Sequence, residues 1–340
     1  MSFSFGFSQA DVSDDELEPL PVDSKPSAAA STAAPSEVPP KLHSIKSILD
    51  TLINVRITFD NYTTPGGNIV YRRELFDMKH QCMMEEDNDS EANKIHKILL
   101  GSDEELDLQK NVYEGGFKSW ECSYDLVDEI ANQENDQLFS NKSSILELGC
   151  GSALPSCFIL MKWFEKKVSN KTLLLSDFNL EVLRLVTVPN LIVHWASTLE
   201  PQELAKLQDP DIPMKNDELQ VTAQLIEAFT DSLHQQNLDI QCISGSWSSA
   251  FADLVQPFNP DFILSSETIY SLDTLPTFIT LLVDLMTKRS SVALIAAKSY
   301  YFGVGGSLKE FTSRLAPPLA FETNDVPNSS LKRAIVKITT

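Results

Sequence analysis

From residue 115 to the end of the chain, short apolar segments alternate with segments whose apolar residues recur at helical spacing. The apolar segments have the length of buried strands, and the amphipathic ones have the length of helices. This alternation predicts an α/β fold, a doubly wound, Rossmann-like and mostly parallel sheet with helices on both faces. The predicted strands are 145–148, 173–176, 240–243, 262–265, 292–297 and a terminal edge strand at 334–339; the predicted helices are 124–131, 153–166, 179–188, 275–287 and 308–315.

The N-terminal third has a different composition. Residues 1–44 are rich in Ser, Ala, Pro and acidic residues, and such a segment buries too little apolar surface to offset its chain entropy, so we predict disorder. Residues 45–112 hold two alternating segments on either side of Pro65-Gly66-Gly67, the pattern of a β-hairpin. We interpret 45–112 as an N-terminal extension that rests on a domain at 113–340. Within that domain, 197–239 is longer than an ordinary connection and is predicted to be an insertion.

The chain is strongly acidic, with a formal net charge of −21 at pH 7. A surface that binds nucleic acid phosphates needs clustered Lys and Arg, so we expect no direct nucleic acid binding and favour a basic protein as partner. An acidic surface that serves solubility alone is the alternative. No apolar run has the length of a membrane span, and the first residues lack a secretory signal, so we expect a protein of the cytoplasm and nucleus. We also expect a monomer.

The cysteines and histidines do not follow metal-binding or disulfide spacings. The five cysteines are odd in number, widely spaced and without a Cys-x-x-Cys pair, which predicts reduced and mostly buried thiols. The five histidines lie outside the motifs described below, and we predict structural or surface roles for them and no metal site.

A glycine-containing loop, Glu147-Leu148-Gly149-Cys150-Gly151-Ser152-Ala153, follows a predicted strand and opens a predicted helix. Glycine lets the backbone approach a ligand, and the free amides of a helix N-terminus can bind it. A dinucleotide fingerprint requires a further glycine at the sixth position, where this chain has Leu154. The E-x-G-x-G form is instead similar to the loop of class I methyltransferases, which holds the amino-acid part of S-adenosylmethionine. A structural turn without a ligand is the alternative.

Three further sites follow the ends of predicted strands. Asp177 closes the second strand, where a carboxylate can accept hydrogen bonds from both hydroxyls of a ribose or cap the next helix. Trp247, in Gly245-Ser246-Trp247 after the third strand, can supply a flat wall for an adenine or belong to the core. Glu267 and Tyr270 follow the fourth strand, three residues apart, at the edge where open α/β sheets bind ligands; for Glu267 the alternative is a charge at a helix N-terminus.

Several strings together resemble the eukaryotic histidine protein methyltransferases. They are GGFKSWECSYDL at 115–126, ELGCGSAL at 147–154, DFN at 177–179, VPN at 188–190, SETIY at 266–270 and AKSYYFGVGG at 297–306. Together they span more than half of the chain. Two positions depart from the family, which often has Gly in place of Ala153 and an acidic residue in place of Ser246.

The resemblance implies the seven-stranded sheet of class I methyltransferases, with S-adenosylmethionine as cofactor. It implies methyl transfer to the τ nitrogen of a histidine in a large-subunit ribosomal protein. By position it places these residues around the cofactor: Ser119, Trp120, Glu121, Cys122, Ser123, Glu147, Gly149, Gly151, Asp177, Phe178, Asn179, Ser246, Trp247 and Ser266.

For the substrate histidine we predict three catalytic-site residues. Glu267, or a backbone carbonyl in 301–306, accepts the N–H of one ring nitrogen, and Tyr270 and Tyr301 wall the ring. The lone pair of the other nitrogen then faces the methyl group, and alignment supplies most of the rate. Two other functions stay open: a protein-lysine methyltransferase of the same fold, and a non-catalytic escort of a ribosomal protein.

Overall fold

The computed structural model describes residues 38–85, 90–101, 108–109, 112–133, 142–213, 215–288, 290–327 and 329–340. The disorder predicted for residues 1–37 lies outside these ranges. Before the glycine loop the elements are β1 (Lys41–Ser44), α1 (Ile45–Leu49), β2 (Arg56–Thr63), β3 (Ile69–Arg73), α2 (Leu75–Met84), α3 (Ser90–Leu100), α4 (Glu121–Gln133) and β4 (Ser144–Leu148).

The remaining elements are α5 (Leu154–Glu165), β5 (Lys171–Asp177), α6 (Leu180–Val182), α7 (Val188–Ala196), α8 (Pro201–Lys206), β6 (Glu218–Gln220), α9 (Ala223–Gln235), β7 (Leu238–Ser244), α10 (Ser249–Val255), β8 (Phe262–Ser266), α11 (Leu275–Thr287), β9 (Val292–Lys298), α12 (Leu308–Ser313), β10 (Ala320–Asp325) and β11 (Arg333–Thr339). They include all the strands and helices predicted from residue 153 onward, together with β6, α8, α10 and β10, which were not predicted.

The main sheet has the order β1-β7-β5-β4-β8-β9-β11-β10. Strands β7, β5, β4, β8 and β9 are parallel, and β11 runs antiparallel between β9 and β10. The seven strands from β7 to β10 therefore form the predicted doubly wound, mostly parallel sheet. The chain leaves β4 toward β5 on one side and β8 lies on the other, so the strand order reverses at β4. Ligands bind at such a switch point, outside the carboxyl ends of the strands.

Apolar side chains cover both faces of this sheet. One buried cluster contains residues of α4, α5, α7 and α9, and the other contains residues of α10, α11 and α12. Trp195 is the largest fully buried side chain of the first cluster, and Phe251, Phe278 and Phe311 are the largest of the second. All five cysteines are free and buried, which confirms the predicted reduced thiols. The described helices lack the length and apolar character that a membrane-spanning segment requires.

Three boundaries differ from the sequence prediction. The disordered segment predicted at residues 1–44 is too long, because Lys41–Ser44 form β1 and pair antiparallel with β7. The terminal strand is not at the edge, because β10 pairs with its outer side. Both added strands are held by backbone pairing at a sheet edge, and all six residues of β10 are exposed, so neither carries an apolar pattern.

The third difference is the helix predicted to end at residue 188. Helical backbone continues to Ala196 through a π-helical segment, Leu183–Thr187. Pro189 normally ends a helix because it lacks an N–H and its ring clashes with the preceding turn. Here it occupies the first turn of α7, where no intrahelical N–H bond is required.

The N-terminal hairpin is joined to the insertion at 197–239. Strand β2 pairs with β3 on one side and with β6, which lies within the insertion, on the other. The outer edge of β3 is bonded by side chains of α7: the Arg73 N–H donates to Asn190 Oδ1 at 2.8 Å, and the Tyr71 N–H donates to His194 Nε2 at 3.1 Å. Burial lowers the pKa of His194 to about 4, so the ring is neutral and can accept this bond.

Asn190 connects the hairpin to the glycine loop. Its Nδ2 donates to the carbonyl of Ser152 at 2.8 Å, and the side chain is fully buried. Replacing Asn190 with Ala leaves an N–H and a carbonyl buried without partners, so we expect urea denaturation to show a loss of about 2–4 kcal/mol in the free energy of unfolding. Asn61→Ala, at an exposed position of β2, is the control and should change it by less than about 0.5 kcal/mol. Equal effects of the two variants would contradict this role.

Candidate functional site

The glycine loop lies at the carboxyl end of β4 and is tightly bonded to its surroundings. Gly149 and Gly151 have positive φ angles of 62° and 50°. A Cβ on Gly149 would lie 2.7 Å from the Thr268 methyl carbon, so no larger residue fits there. The carbonyl of Gly151 accepts a hydrogen bond from Thr187 Oγ1 at 2.6 Å. The loop is therefore fixed from two sides, by Thr268 and Thr187.

Asp177 lies beside this loop at the end of β5. Its carboxylate accepts the N–H of Gly151 at 2.9 Å and the N–H of Asn179 at 3.3 Å. Burial raises the pKa of Asp177 to about 6, although the backbone donors favour the charged form. Nearby, Asn179 Nδ2 donates to the carbonyl of Val112, while Oδ1 is buried and has no hydrogen bond in the described part of the chain. The two side chains offer polar acceptors at the edge where a sugar is predicted.

The segment 115–123 lies over the glycine loop. A Cβ on Gly151 would meet the Gly116 carbonyl oxygen at 3.1 Å, and Ser119 Oγ donates to Ser152 Oγ at 2.9 Å. The Trp120 indole N–H donates to the carbonyl of Gly115 at 3.1 Å. Cys122 is fully buried, and Ser123 Oγ donates to the carbonyl of Trp120 at 2.7 Å. The structure thus places Ser119 at the glycine loop. Trp120, Glu121 and Cys122 lie at Lys298 and Glu267 instead.

Residues after β7 meet the start of the described chain. The Val38 N–H donates to Ser246 Oγ at 3.0 Å, and the Ser246 N–H donates to the carbonyl of Val38 at 2.9 Å. The Trp247 ring lies 3.6 Å from the Cβ position of Gly149 and packs against Phe278, with 5.2 Å between ring centroids. Trp247 is therefore beside the loop, as predicted for an adenine wall, whereas Ser246 is engaged by Val38.

Three other predicted cofactor residues lie at the ends of β4, β5 and β8. Glu147 is fully buried beneath the loop, and its Oε2 accepts hydrogen bonds from the Ser156 N–H and hydroxyl. Burial raises the pKa of Glu147 to about 7, against the bonds from Ser156. The carbonyl of Phe178 accepts the N–H of Gly245 at 3.0 Å, which ties the ends of β5 and β7 together. Ser266, the last residue of β8, is half-buried next to Glu267.

Glu267 occupies a strained and enclosed position after β8. Its φ of 58° lies in the left-handed region, and its N–H donates to the carbonyl of Ala296 at 3.0 Å. The side chain is 9% exposed. Its Oε1 forms no hydrogen bond with any described residue, and Lys298 Nζ lies 3.5 Å away. Strained backbone that carries an incompletely bonded carboxylate is typical of functional sites.

The two predicted tyrosines lie at this carboxylate. Their rings are nearly perpendicular, with 6.4 Å between the centroids of Tyr270 and Tyr301. Burial raises the pKa of Tyr301, and the negative charge of Glu267 raises it further, so the hydroxyl is neutral. It accepts the backbone N–H of Lys298 at 3.2 Å. The structure therefore brings Glu267, Tyr270 and Tyr301 together.

A loop at 299–306 borders this group. Tyr300 and Phe302 are 51% and 81% exposed, and Val304 and Leu272 are also exposed. The Gly306 N–H donates to the carbonyl of Tyr270 at 2.9 Å, which fixes the loop to the segment that carries Glu267. The loop is thus an apolar rim beside a buried carboxylate.

Several contributing residues had no predicted role in the sequence analysis. Thr187 and Asn190 hold the glycine loop from the helical segment that follows β5, and Thr268 packs against Gly149. Lys298 and Val38 contact Glu267 and Ser246 from distant parts of the chain. Asn190 and Lys298 lie in the family strings at 188–190 and 297–306, and membership of these strings is the sequence signal that could have identified them. The described residues contain no group of three His, Cys, Asp or Glu side chains arranged to bind a metal.

Comparisons with known proteins give a consistent result. The chain is 38% identical to Histidine protein methyltransferase 1 of Saccharomyces cerevisiae, with 100% of this chain and 99% of that protein aligned. Histidine protein methyltransferase 1 of Schizosaccharomyces pombe is 39% identical over 73% of this chain and 69% of its own. A Bos taurus homologue is 32% identical over 68% of this chain and 57% of its own.

No protein-family model matches the chain. Among solved structures, the rRNA methyltransferase aviRa from Streptomyces viridochromogenes is 12% identical, with a TM-score of 0.42 over 71% of this chain and 94% of that one. A likeness at these values carries no argument, and the fold is assigned from the strand order of the main sheet.

Proposed function

Because the chain belongs to the histidine protein methyltransferase family, we propose that it transfers a methyl group from S-adenosylmethionine to the τ nitrogen of a histidine in a large-subunit ribosomal protein. The observation that carries the proposal is the arrangement at Glu267. Its Oε1 is buried and without a hydrogen bond to any described residue, at the same sheet edge as the glycine loop and Asp177. The carboxylate interacts with Tyr301, whose ring lies 6.4 Å from that of Tyr270. Such an oxygen suits the N–H of a neutral imidazole.

The residues present fit S-adenosylmethionine. Asp177 offers carboxylate oxygens and Asn179 an unbonded buried oxygen for the ribose hydroxyls. The positive φ angles of Gly149 and Gly151 shape the turn that would hold the amino-acid part, and Trp247 supplies an apolar wall for the adenine. When bound, this cofactor supplies a methyl group that its sulfonium already activates. The protein's task is therefore alignment.

The proposed mechanism uses neutral histidine as nucleophile. With an ordinary pKa near 6.5, the substrate imidazole is mostly uncharged at neutral pH and carries one N–H. Glu267 Oε1 accepts the N–H of the π nitrogen, which turns the lone pair of the τ nitrogen toward the methyl group. Positive charge develops on the ring as the new N–C bond forms, and the buried carboxylate stabilises it. The proton on the π nitrogen then leaves to Glu267, so the product ring is neutral.

Charge supports the choice of partner. A net charge of −21 and a sequence pI of about 4.6 favour a basic protein, as ribosomal proteins commonly are, over nucleic acid. We propose that the monomeric enzyme meets this substrate in the cytoplasm and nucleus, where ribosomal proteins are made and assembled.

The direct test is a methylation assay with isolated large-subunit ribosomal proteins from cells that lack this enzyme. We expect one basic protein to gain a single methyl group, and fragmentation in mass spectrometry together with comparison to τ- and π-methylhistidine standards identifies the atom. Methyllysine in the product would support a lysine methyltransferase instead. Binding of a ribosomal protein without any methyl transfer would support an escort.

Gly306 offers a test of the loop beside Glu267. A Cβ on Gly306 would lie 2.2 Å from the carbonyl oxygen of Ile269, so Gly306→Ala must displace the segment that carries Glu267 and Tyr270. A displacement of about 1 Å lowers rates by about 100-fold, and we expect that loss in kcat. Gly303→Ala is the control, because φ is 82° there but no atom lies within 4 Å of the added Cβ. If both variants keep full kcat, the loop does not position the catalytic segment.

A further inference from the structure

Lys298 ends β9 with its ammonium group between two carboxylates from different parts of the chain. Lys298 Nζ lies 3.0 Å from Glu121 Oε2 at the start of α4 and 3.5 Å from Glu267 Oε1 after β8. It also lies 5.3 Å from the centroid of the Trp120 ring. The lysine and Glu267 side chains are 16% and 9% exposed, so little water screens their interaction.

The ammonium stays charged in this setting. Burial alone lowers the pKa of Lys298, but the negative charges of Glu267 and Glu121 outweigh burial and raise it. A buried carboxylate without a counter-charge is costly and takes up a proton instead. Lys298 therefore places a positive charge beside the Glu267 carboxylate inside an enclosed site.

The geometry leaves the acceptor oxygen available. At 3.5 Å, Lys298 is within ion-pair distance of Glu267 Oε1 but forms no hydrogen bond with it. The ammonium hydrogen bond goes to Glu121 instead. A strong hydrogen bond from lysine to this oxygen would compete with the hydrogen bond from the substrate N–H. Lys298 therefore compensates the charge of Glu267 without occupying the oxygen that would accept the substrate N–H.

Glu121 belongs to the segment that lies on the cofactor side. Trp120 and Ser119 precede it, and Ser119 bonds Ser152 of the glycine loop. We propose that Lys298 is a positioning residue that supplies the counter-charge of Glu267 and holds it aimed at the substrate imidazole, and that links this carboxylate to the segment covering the glycine loop. The inference rests on the proposed function, because it assigns a role to Glu267 in the same reaction.

Lys298→Met and Lys298→Arg test this role. We expect Lys298→Met to lower kcat about tenfold or more, and Lys298→Arg, which keeps the charge, to recover kcat to within about threefold of the wild type. The matched control is Lys337→Met, since Lys337 pairs with Glu322 at 3.3 Å on the far edge of the sheet, where both side chains are partly exposed. It should retain the wild-type kcat.

A double-mutant cycle separates positioning from general structural support. If Lys298 acts through Glu267, adding Lys298→Met to Glu267→Gln lowers kcat by less than about threefold further, because no carboxylate remains to be held. Losses that multiply, or a full kcat in Lys298→Met, overturn the inference. If Lys298→Met is too unstable to assay, failure of Lys298→Arg to keep kcat overturns it equally. These outcomes are distinct from failure of the proposed function, in which the wild-type protein methylates no histidine.

Discussion

Glu267→Gln is expected to lower kcat for histidine methylation by about 100-fold or more, while the Kd for S-adenosylmethionine stays within about twofold of the wild type. The amide keeps the shape of the side chain and can still accept an N–H, but it loses the negative charge that stabilises the cationic ring and it cannot take the proton. Removing one preorganised electrostatic contact from a buried site costs about 100- to 1,000-fold in kcat. Single-turnover methylation and calorimetric titration of the cofactor measure the two quantities separately.

The control for this change is Glu322→Gln, at a side chain that is 60% exposed and paired with Lys337. It removes the same charge from an exposed pair and should leave both kcat and Kd unchanged. If Glu267→Gln retains the wild-type kcat, Glu267 is not the acceptor. The backbone carbonyls of the loop at 301–306 then become the candidates.

The elements that the sequence could predict are those whose signals are local. The glycine loop and Asp177 each follow a strand directly, so their common location was predictable from the rule that parallel strands end at one edge. Glu267 and Tyr270 were predictable in the same way, because they follow β8 by one and four residues. Tyr301 joins them by its place in a family string and not by spacing alone.

The remaining features depend on contacts between distant residues. Val38 and Ser246 are 208 positions apart, and no pattern in either segment indicates their pairing. Asn190 bonds both β3 and the glycine loop, yet a buried Asn in a helix has no recognisable spacing. The edge strands β1 and β10 are held by backbone bonds, so their exposed side chains show no strand pattern. Local signals therefore located the strand ends and missed the edge strands and the supporting contacts.

Replacing Asp177 with Asn should weaken cofactor binding by about 100-fold, because two hydrogen bonds from ribose hydroxyls to a charged acceptor are lost or weakened. Burial raises the pKa of Asp177 to about 6. The proposed hydrogen bonds from the ribose hydroxyls require the ionised form. We expect the Kd of the wild type to be constant above pH 7 and to rise toward tenfold per pH unit below about pH 6. In Asp177→Asn this rise should disappear. Calorimetry between pH 5 and pH 8 measures both.

The same substitution is expected to act in the opposite direction on stability. A carboxyl whose pKa is raised from 3.8 to about 6 on folding favours the native state at low pH, and that contribution is lost as the pH rises through about 6. At pH 7 the buried charge therefore opposes folding, and Asp177→Asn should unfold at the same or a higher urea concentration than the wild type. Glu147 also titrates in this range, with a pKa raised to about 7 by burial and, to a smaller extent, by the charge of Asp177, so the two proteins are compared at each pH. If Asp177→Asn binds the cofactor more weakly and is no less stable, Asp177 is present for its ligand. If the variant loses stability at pH 7 and binds the cofactor normally, Asp177 serves the fold instead.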